Sequence, residues 1–228
     1  MLRFKIEKTG APVWMRSLIP VFALLVTFLI TSGLILWGQA NPIQAYYYFL
    51  IAPLTSRVSA LEVLVKSTPL ILSGVAVTFA FVAGYYNIGA EGQLYAGAIA
   101  AAWLGTVLGG LPPALAIPIM LLGGFIAGAL WALTPALLRV KLAVDEVVTT
   151  LLLNSVMLFI VSALLNGPWR SPVSGWPQSP EIAPSTVLPK LIPRSRLHLG
   201  FVVAVLSVVV LWFVLSRTVF GLKMRAAG

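Results

Sequence analysis

The sequence has 228 residues, of which 60% are hydrophobic and only 9% charged. A soluble domain carries about 25% charge, so the apolar excess must face a bilayer. The net charge of +9 comes from Lys and Arg lying between long apolar stretches, which suits headgroups and topology and not nucleic acid. With no Cys there are no disulfides or thiolate chemistry, and the single His198 builds no His-cluster metal site, so no cofactor is expected.

Residues 1–16 carry Arg3, Lys5, Lys8 and Arg16 against Glu7 alone, and Ser17–Trp37 then runs without a charge. That run is longer than the core of a secretory signal and is followed by further apolar stretches, so it reads as a first membrane span. Five more stretches follow: Ser67–Gly84, Gln93–Gly109, Ala114–Leu138, Val147–Leu165 and Leu199–Leu215. Each is near the length that crosses about 30 Å of hydrocarbon at 1.5 Å per residue. The expected fold is all-α: a polytopic bundle of about six spans, forming one transmembrane domain over residues 1–228.

The connections differ in character. Tyr46, Tyr47, Tyr48 and Phe49 suit the interfacial aromatic belt. Leu54, Val58, Leu61 and Val65 share one helical face, which predicts a short helix lying on the membrane surface, with an ordinary loop as the alternative. Leu111-Pro112-Pro113 is a tight turn. Asn166–His198 holds seven prolines, which block helix and sheet interiors, so an extended solvated loop is expected.

Orientation follows from the cations. With the N-terminus in the cytoplasm, Arg3, Lys5, Lys8, Arg16, Arg139, Lys141, Arg217, Lys223 and Arg225 lie inside. Arg57, Lys66, Arg170, Lys190, Arg194 and Arg196 lie outside, on longer loops.

Within the spans, Gly97, Ala101, Gly105 and Gly109 repeat every four residues, and Gly124 and Gly128 do the same in the next stretch. Such stripes let helix backbones approach closely. Pro118 and Pro135 each remove one intrahelical hydrogen bond from that stretch.

The polar exceptions carry the functional question. Tyr85–Gln93 (YYNIGAEGQ) contains two amides, one carboxylate and two glycines, and no Lys or Arg. Two readings stand open. One is a plain cytoplasmic turn. The other is a helix break lining a polar pathway, with Asn87, Glu91 and Gln93 offering donors and acceptors to a hydroxyl-rich solute. At the bilayer centre an unsolvated Glu91 would cost on the order of 2.5–3.5 kcal/mol. Asn154, inside the fifth span, is expected either to hydrogen-bond a neighbouring helix or to line that pathway.

Taken together, STPLILSGVAVTFAFVAGYYNIGAEGQLYAGAIAAA, DEVVTTLLLN at 145–154, NGPWR at 166–170, PQSP at 177–180, SRLHLG at 195–200 and RTVFGLKMRAAG at 217–228 follow in a specific order. In that order they resemble the simple-sugar and nucleoside permeases of bacterial ATP-binding-cassette importers, relatives of the ribose and branched-chain amino acid permeases. The resemblance covers nearly all of residues 17–228. It implies a multi-pass permease of the plasma (inner) membrane that hydrolyses nothing itself. It also implies a second permease subunit, identical or different, two cytoplasmic ATP-binding subunits and an extracytoplasmic substrate-binding protein. Phe220, Gly221, Lys223 and Arg225 look like the lead-in to the segment that couples such permeases to their ATPases. Members of that group continue beyond this point with more spans, so the resemblance implies the N-terminal part of a longer domain.

A different class, an integral-membrane enzyme acting on a lipid or prenyl substrate, needs clustered Asp, His or Arg. Asp145 and Glu146 fall on the opposite side from His198 in this topology, so they cannot meet. No residue points to a purely structural or assembly role.

Overall fold

The computed structural model describes residues 13–228; the basic start with Arg3, Lys5 and Lys8 lies outside them. Among the described residues nine α-helices form. They are α1 (Val13–Trp37), α2 (Pro42–Tyr46), α3 (Ala52–Thr55), α4 (Arg57–Val82), α5 (Ala90–Val107), α6 (Pro113–Leu142), α7 (Glu146–Asn166), α8 (Gly200–Arg217) and α9 (Val219–Ala227). The only β pairing among them is an isolated bridge between Lys190 and His198. The all-α polytopic architecture is therefore as expected. Five helices are long and apolar enough to cross a membrane: α1 from Leu18, α4, α6, α7 and α8.

The chain divides into two compact units, Met1–Ala60 and Leu61–Gly228. In the first, α1 is followed by a reversal that brings Tyr46 back onto it. The Tyr46 hydroxyl donates to the Phe28 carbonyl at 2.7 Å, and its ring meets Phe28 edge-on with centroids 4.9 Å apart. Tyr46 is thereby half-buried against α1, while Tyr47, Tyr48 and Phe49 stay exposed on a single π-helical turn.

The short surface helix expected over 54–66 does not form as a separate element. Ser56 is extended and ends α3, but no Gly or Pro interrupts the chain from Arg57 until Pro69. From Arg57 on, the amphipathic segment is therefore continuous with the span that follows, while Leu54 belongs to α3. At Pro69 a backbone donor is missing, and just before it the hydroxyls of Ser67 and Thr68 both donate to the Leu64 carbonyl, at 2.8 and 3.1 Å.

In the second unit α5 and α6 pack through their small residues. A Cβ on Gly97 would lie 2.9 Å from the Gly124 carbonyl oxygen, and one on Gly128 would lie 3.1 Å from that of Gln93. The backbones touch, so only glycine fits between them. Towards its C-terminus α5 meets the Pro-rich loop instead. The Ala183 N–H donates to the Gly105 carbonyl at 2.8 Å, and the fully buried Thr186 hydroxyl donates to the same oxygen at 3.2 Å.

These contacts place α5 beside α6 and α7 in the second unit. Its polar first turn keeps it out of the five most apolar helices, yet its start lies against α7 and its end lies under the loop that follows α7. Eighteen residues at 1.5 Å each make about 27 Å, enough to run the depth of the neighbouring spans.

Candidate functional site at the break between α4 and α5

The segment between α4 and α5 is neither helix nor simple hairpin. Gly84 adopts φ +72°, a left-handed conformation that ends α4 at little steric cost. Residues 85–89 are irregular, and α5 begins at Ala90. Irregular backbone has donors and acceptors to satisfy, and three side chains do so, with Gln93 holding one of them in place.

Asn87 folds onto its own segment. Its Oδ1 accepts from the Gly89 N–H at 2.9 Å and from Gln93 Nε2 at 3.1 Å, while its Nδ2 donates to Gln93 Oε1 at 3.1 Å. From α7, the Thr150 hydroxyl accepts from the Ile88 N–H at 3.2 Å while donating to the Glu146 carbonyl at 2.6 Å. One turn on, Asn154 accepts from the Gly92 N–H at 2.8 Å and donates to the Ile88 carbonyl at 2.9 Å. Thr150 and Asn154 are four apart, hence on one face of α7. A Cβ on Gly92 would sit 2.8 Å from Asn154 Oδ1 and 3.1 Å from Trp131 Nε1, so the glycine is what admits both side chains.

The structure thus brings together Asn87, Gln93 and Asn154, with Asn87 buried and the other two half-buried. Their amides close on one another and on backbone. Glu91 is the exception. It is exposed in the first turn of α5, where the helix dipole favours a carboxylate, and it has no ion-pair partner among the described residues. Thr150 is the member that sequence reading missed; its only signal was its position four residues before Asn154.

The turn from α6 to α7 lies beside the break. Ala143 caps α6 in the left-handed region, Asp145 Oδ1 accepts from the Val148 N–H at 3.0 Å, and Arg139 pairs with the buried Glu146 at 3.1 Å. The Tyr85 hydroxyl is buried near this pair with no hydrogen-bond partner among the described residues.

The α9 helix meets the same end of the unit. Thr218 caps it, accepting from the Gly221 N–H at 3.1 Å. Phe220 stacks on Phe79 of α4 with centroids 6.2 Å apart. Gly221 is buried where a Cβ would meet the backbone of Val214 and Leu215. Lys223 and Arg225 are exposed.

Among the described residues no group of three or more His, Cys, Asp or Glu could hold a metal ion. His198 lies with the Pro-rich loop and caps the Gly200 N–H at 3.1 Å, whereas Asp145 and Glu146 lie at the break.

The segments 85–93, 145–154 and 217–228, which meet at this end, are among those on which the family resemblance rests. The family model described as "Branched-chain amino acid transport system / permease component" matches residues 59–228. The chain belongs to this permease family.

Its relatives agree. The chain is 36% identical over 227 residues to the glucose ABC transporter permease protein TsgB13 of Haloferax volcanii, covering 95% of this chain and 60% of the relative. It is 37% identical over 169 residues to the guanosine ABC transporter permease protein NupP of Bacillus subtilis, covering 73% and 48%. It is 29% identical over 221 residues to the nucleoside ABC transporter permease protein NupB of Lactococcus lactis, covering 93% and 61%. The chain spans about half to three-fifths of the length of these relatives. No solved structure matches it significantly. As a member of this permease family with several apolar spans, it is a multi-pass membrane protein.

Proposed function

We propose that the chain is a permease subunit, or the N-terminal part of one, of an ATP-binding-cassette importer in the plasma membrane, carrying a nucleoside or simple sugar. Membership of the permease family and relatives named for glucose, guanosine and nucleoside transport support this reading. In it, ATP is hydrolysed by separate cytoplasmic subunits, a second permease subunit completes the pathway, and an extracytoplasmic protein delivers the solute. The N-terminus and the end of the second unit holding the break face the cytoplasm.

The observation that carries the site reading is the pinned helix break. Asn87, Gln93 and Asn154 hold irregular backbone open at a fixed shape, and Glu91 is left exposed beside it. Irregular backbone within a membrane protein is tolerated where it lines a cavity or is buried in protein. Glu91 then presents acceptors to solute hydroxyls, while the amides set where it stands. A pathway with few polar groups also releases its solute readily. On the cytoplasmic side, α9 with Phe220, Gly221, Lys223 and Arg225 passes motion from the ATPase to α4 through the Phe220–Phe79 stack.

The test is solute uptake by the assembled transporter. Glu91→Gln keeps the shape and removes the charge, so uptake is expected to fall about tenfold while insertion and ATPase binding persist, a change of about 1.4 kcal/mol in the barrier. Uptake at the parental rate would reduce Glu91 to a surface carboxylate.

A further inference from the structure

At the opposite end of this unit, the last part of the Pro-rich loop folds back on itself. The Leu191 N–H donates to the Leu197 carbonyl and the Leu199 N–H to the Pro189 carbonyl, both at 2.9 Å, and Lys190 stands opposite His198 in an antiparallel bridge. Side chains alternate along extended backbone, and directly opposed residues share a face. Arg196, two before His198, lies in a bend beside them. Two cations, Lys190 and Arg196, and the His198 ring are thus brought together.

That face borders a cavity of about 320 Å³ whose apolar walls include Met120, Ile182 and Leu188, with Lys190, Arg196 and His198 around it. The donors there are largely free. Arg196 touches Glu62 Oε2 at a long 3.4 Å and keeps 77% of its side chain exposed. Lys190 is exposed. The His198 Nδ1 accepts from the Gly200 N–H, which places the proton of the neutral ring on Nε2 as a further donor. Met120 lies seven residues along α6 from Pro113, about 10 Å in from the helix start at 1.5 Å per residue. Lys190, Arg196 and His198 therefore border the cavity from the loop, while Met120 extends its apolar wall into the span.

We infer that this cavity holds an anionic phospholipid, its phosphate against Lys190, Arg196 and His198 and an acyl chain along Met120, Ile182 and Leu188. Charge decides the headgroup: a zwitterionic lipid would bring its own cation to an already cationic rim, whereas an anionic one meets it with opposite sign. The apolar wall decides against free phosphate, which would leave that surface unused. Bound there, the phosphate takes Arg196 from Glu62 and ties the loop to the membrane. The inference rests on the multi-pass reading and not on the identity of the solute.

The experiment uses the purified transporter in a neutral detergent, titrated with phosphatidylglycerol or phosphatidylcholine, with retained lipid counted by native mass spectrometry on the folded fraction. Phosphatidylglycerol should be retained in preference. Arg196→Gln and Lys190→Gln should each lower that preference several-fold, and Arg196→Lys should restore part of it. Arg194→Gln, which removes the same charge two residues away and outside the cavity lining, should leave it unchanged. Millimolar inorganic phosphate should not displace the lipid. Equal retention of phosphatidylcholine, equal effects of Arg194→Gln and Arg196→Gln, or displacement by inorganic phosphate would each overturn the inference, the last by making this a soluble-anion site.

Discussion

Asn87 and Gln93 form a closed amide pair, each side chain donating to the other at 3.1 Å across the first turn of α5. The pair satisfies all but one of its polar contacts internally and holds the Asn87 carbonyl where the Gly89 N–H also reaches it. Removing Gln93 leaves the buried Asn87 amide N–H unmet, at about 1–3 kcal/mol, and removing Asn87 leaves the half-buried Gln93 unpaired at less cost. The double change Asn87→Ala with Gln93→Ala should cost less than the sum of the single changes, with a coupling of about 1 kcal/mol. Thermal unfolding of the four forms measures this. Strict additivity would mean the pair does not act as a unit.

Tyr85 supplies a pH prediction. Its pKa lies above the ordinary 10.0, first because burial disfavours the phenolate and then because Glu146 repels it, with Arg139 acting the other way. Below about pH 10 the phenol is neutral in both folded and unfolded chains. As pH rises past that value the unfolded chain loses the proton first, so the folded state loses stability until its own raised pKa is passed. Tyr85→Phe should remove this alkaline loss. At neutral pH the same change should be neutral within about 0.5 kcal/mol or slightly stabilising, because the buried hydroxyl has no partner among the described residues to lose. Melting temperature against pH for both forms is the measurement.

Gly221 is the tightest point of the α8–α9 elbow. A methyl there would lie 2.5 Å from the Leu215 carbonyl oxygen and 2.6 Å from its Cα, and backbone cannot yield as a side chain does. Gly221→Ala should displace α9 at a cost of about 1–3 kcal/mol. In uptake assays on the assembled transporter it should be more damaging than Lys223→Ala, which alters an exposed charge only. If Lys223→Ala proves the worse of the two, charge and not the seating of α9 governs coupling.

Sidedness is open to a direct check, since the chain has no native Cys. Ser174→Cys in the Pro-rich loop and Lys141→Cys at the end of α6 are both exposed positions. An impermeant thiol reagent added to intact cells should label the first and not the second. The reverse pattern would invert the proposed orientation.

The residues by themselves determined that this chain is all-α and crosses a membrane several times. Forming a span is a local matter: each apolar side chain transfers into lipid on its own account, and the helix satisfies its backbone within the same segment. That is why α1, α6, α7 and α8 fall close to the apolar stretches of the sequence. The small-residue stripes were legible for the same reason, since a repeat of four marks one face without reference to the partner.

What only the tertiary structure decided is which polar groups meet. Nothing near Asn154 in the sequence says that it grips Ile88 and Gly92, more than sixty residues away. Nothing in the amphipathic pattern over 54–66 says that the chain breaks at Ser56 and that α4 takes in the rest of it. Thr150 reads as an ordinary span residue until Ile88 is placed against its hydroxyl. Hydrogen bonds between helices depend on rotation and register, which packing along the whole length of α5, α6 and α7 sets, and no local run of residues encodes that sum.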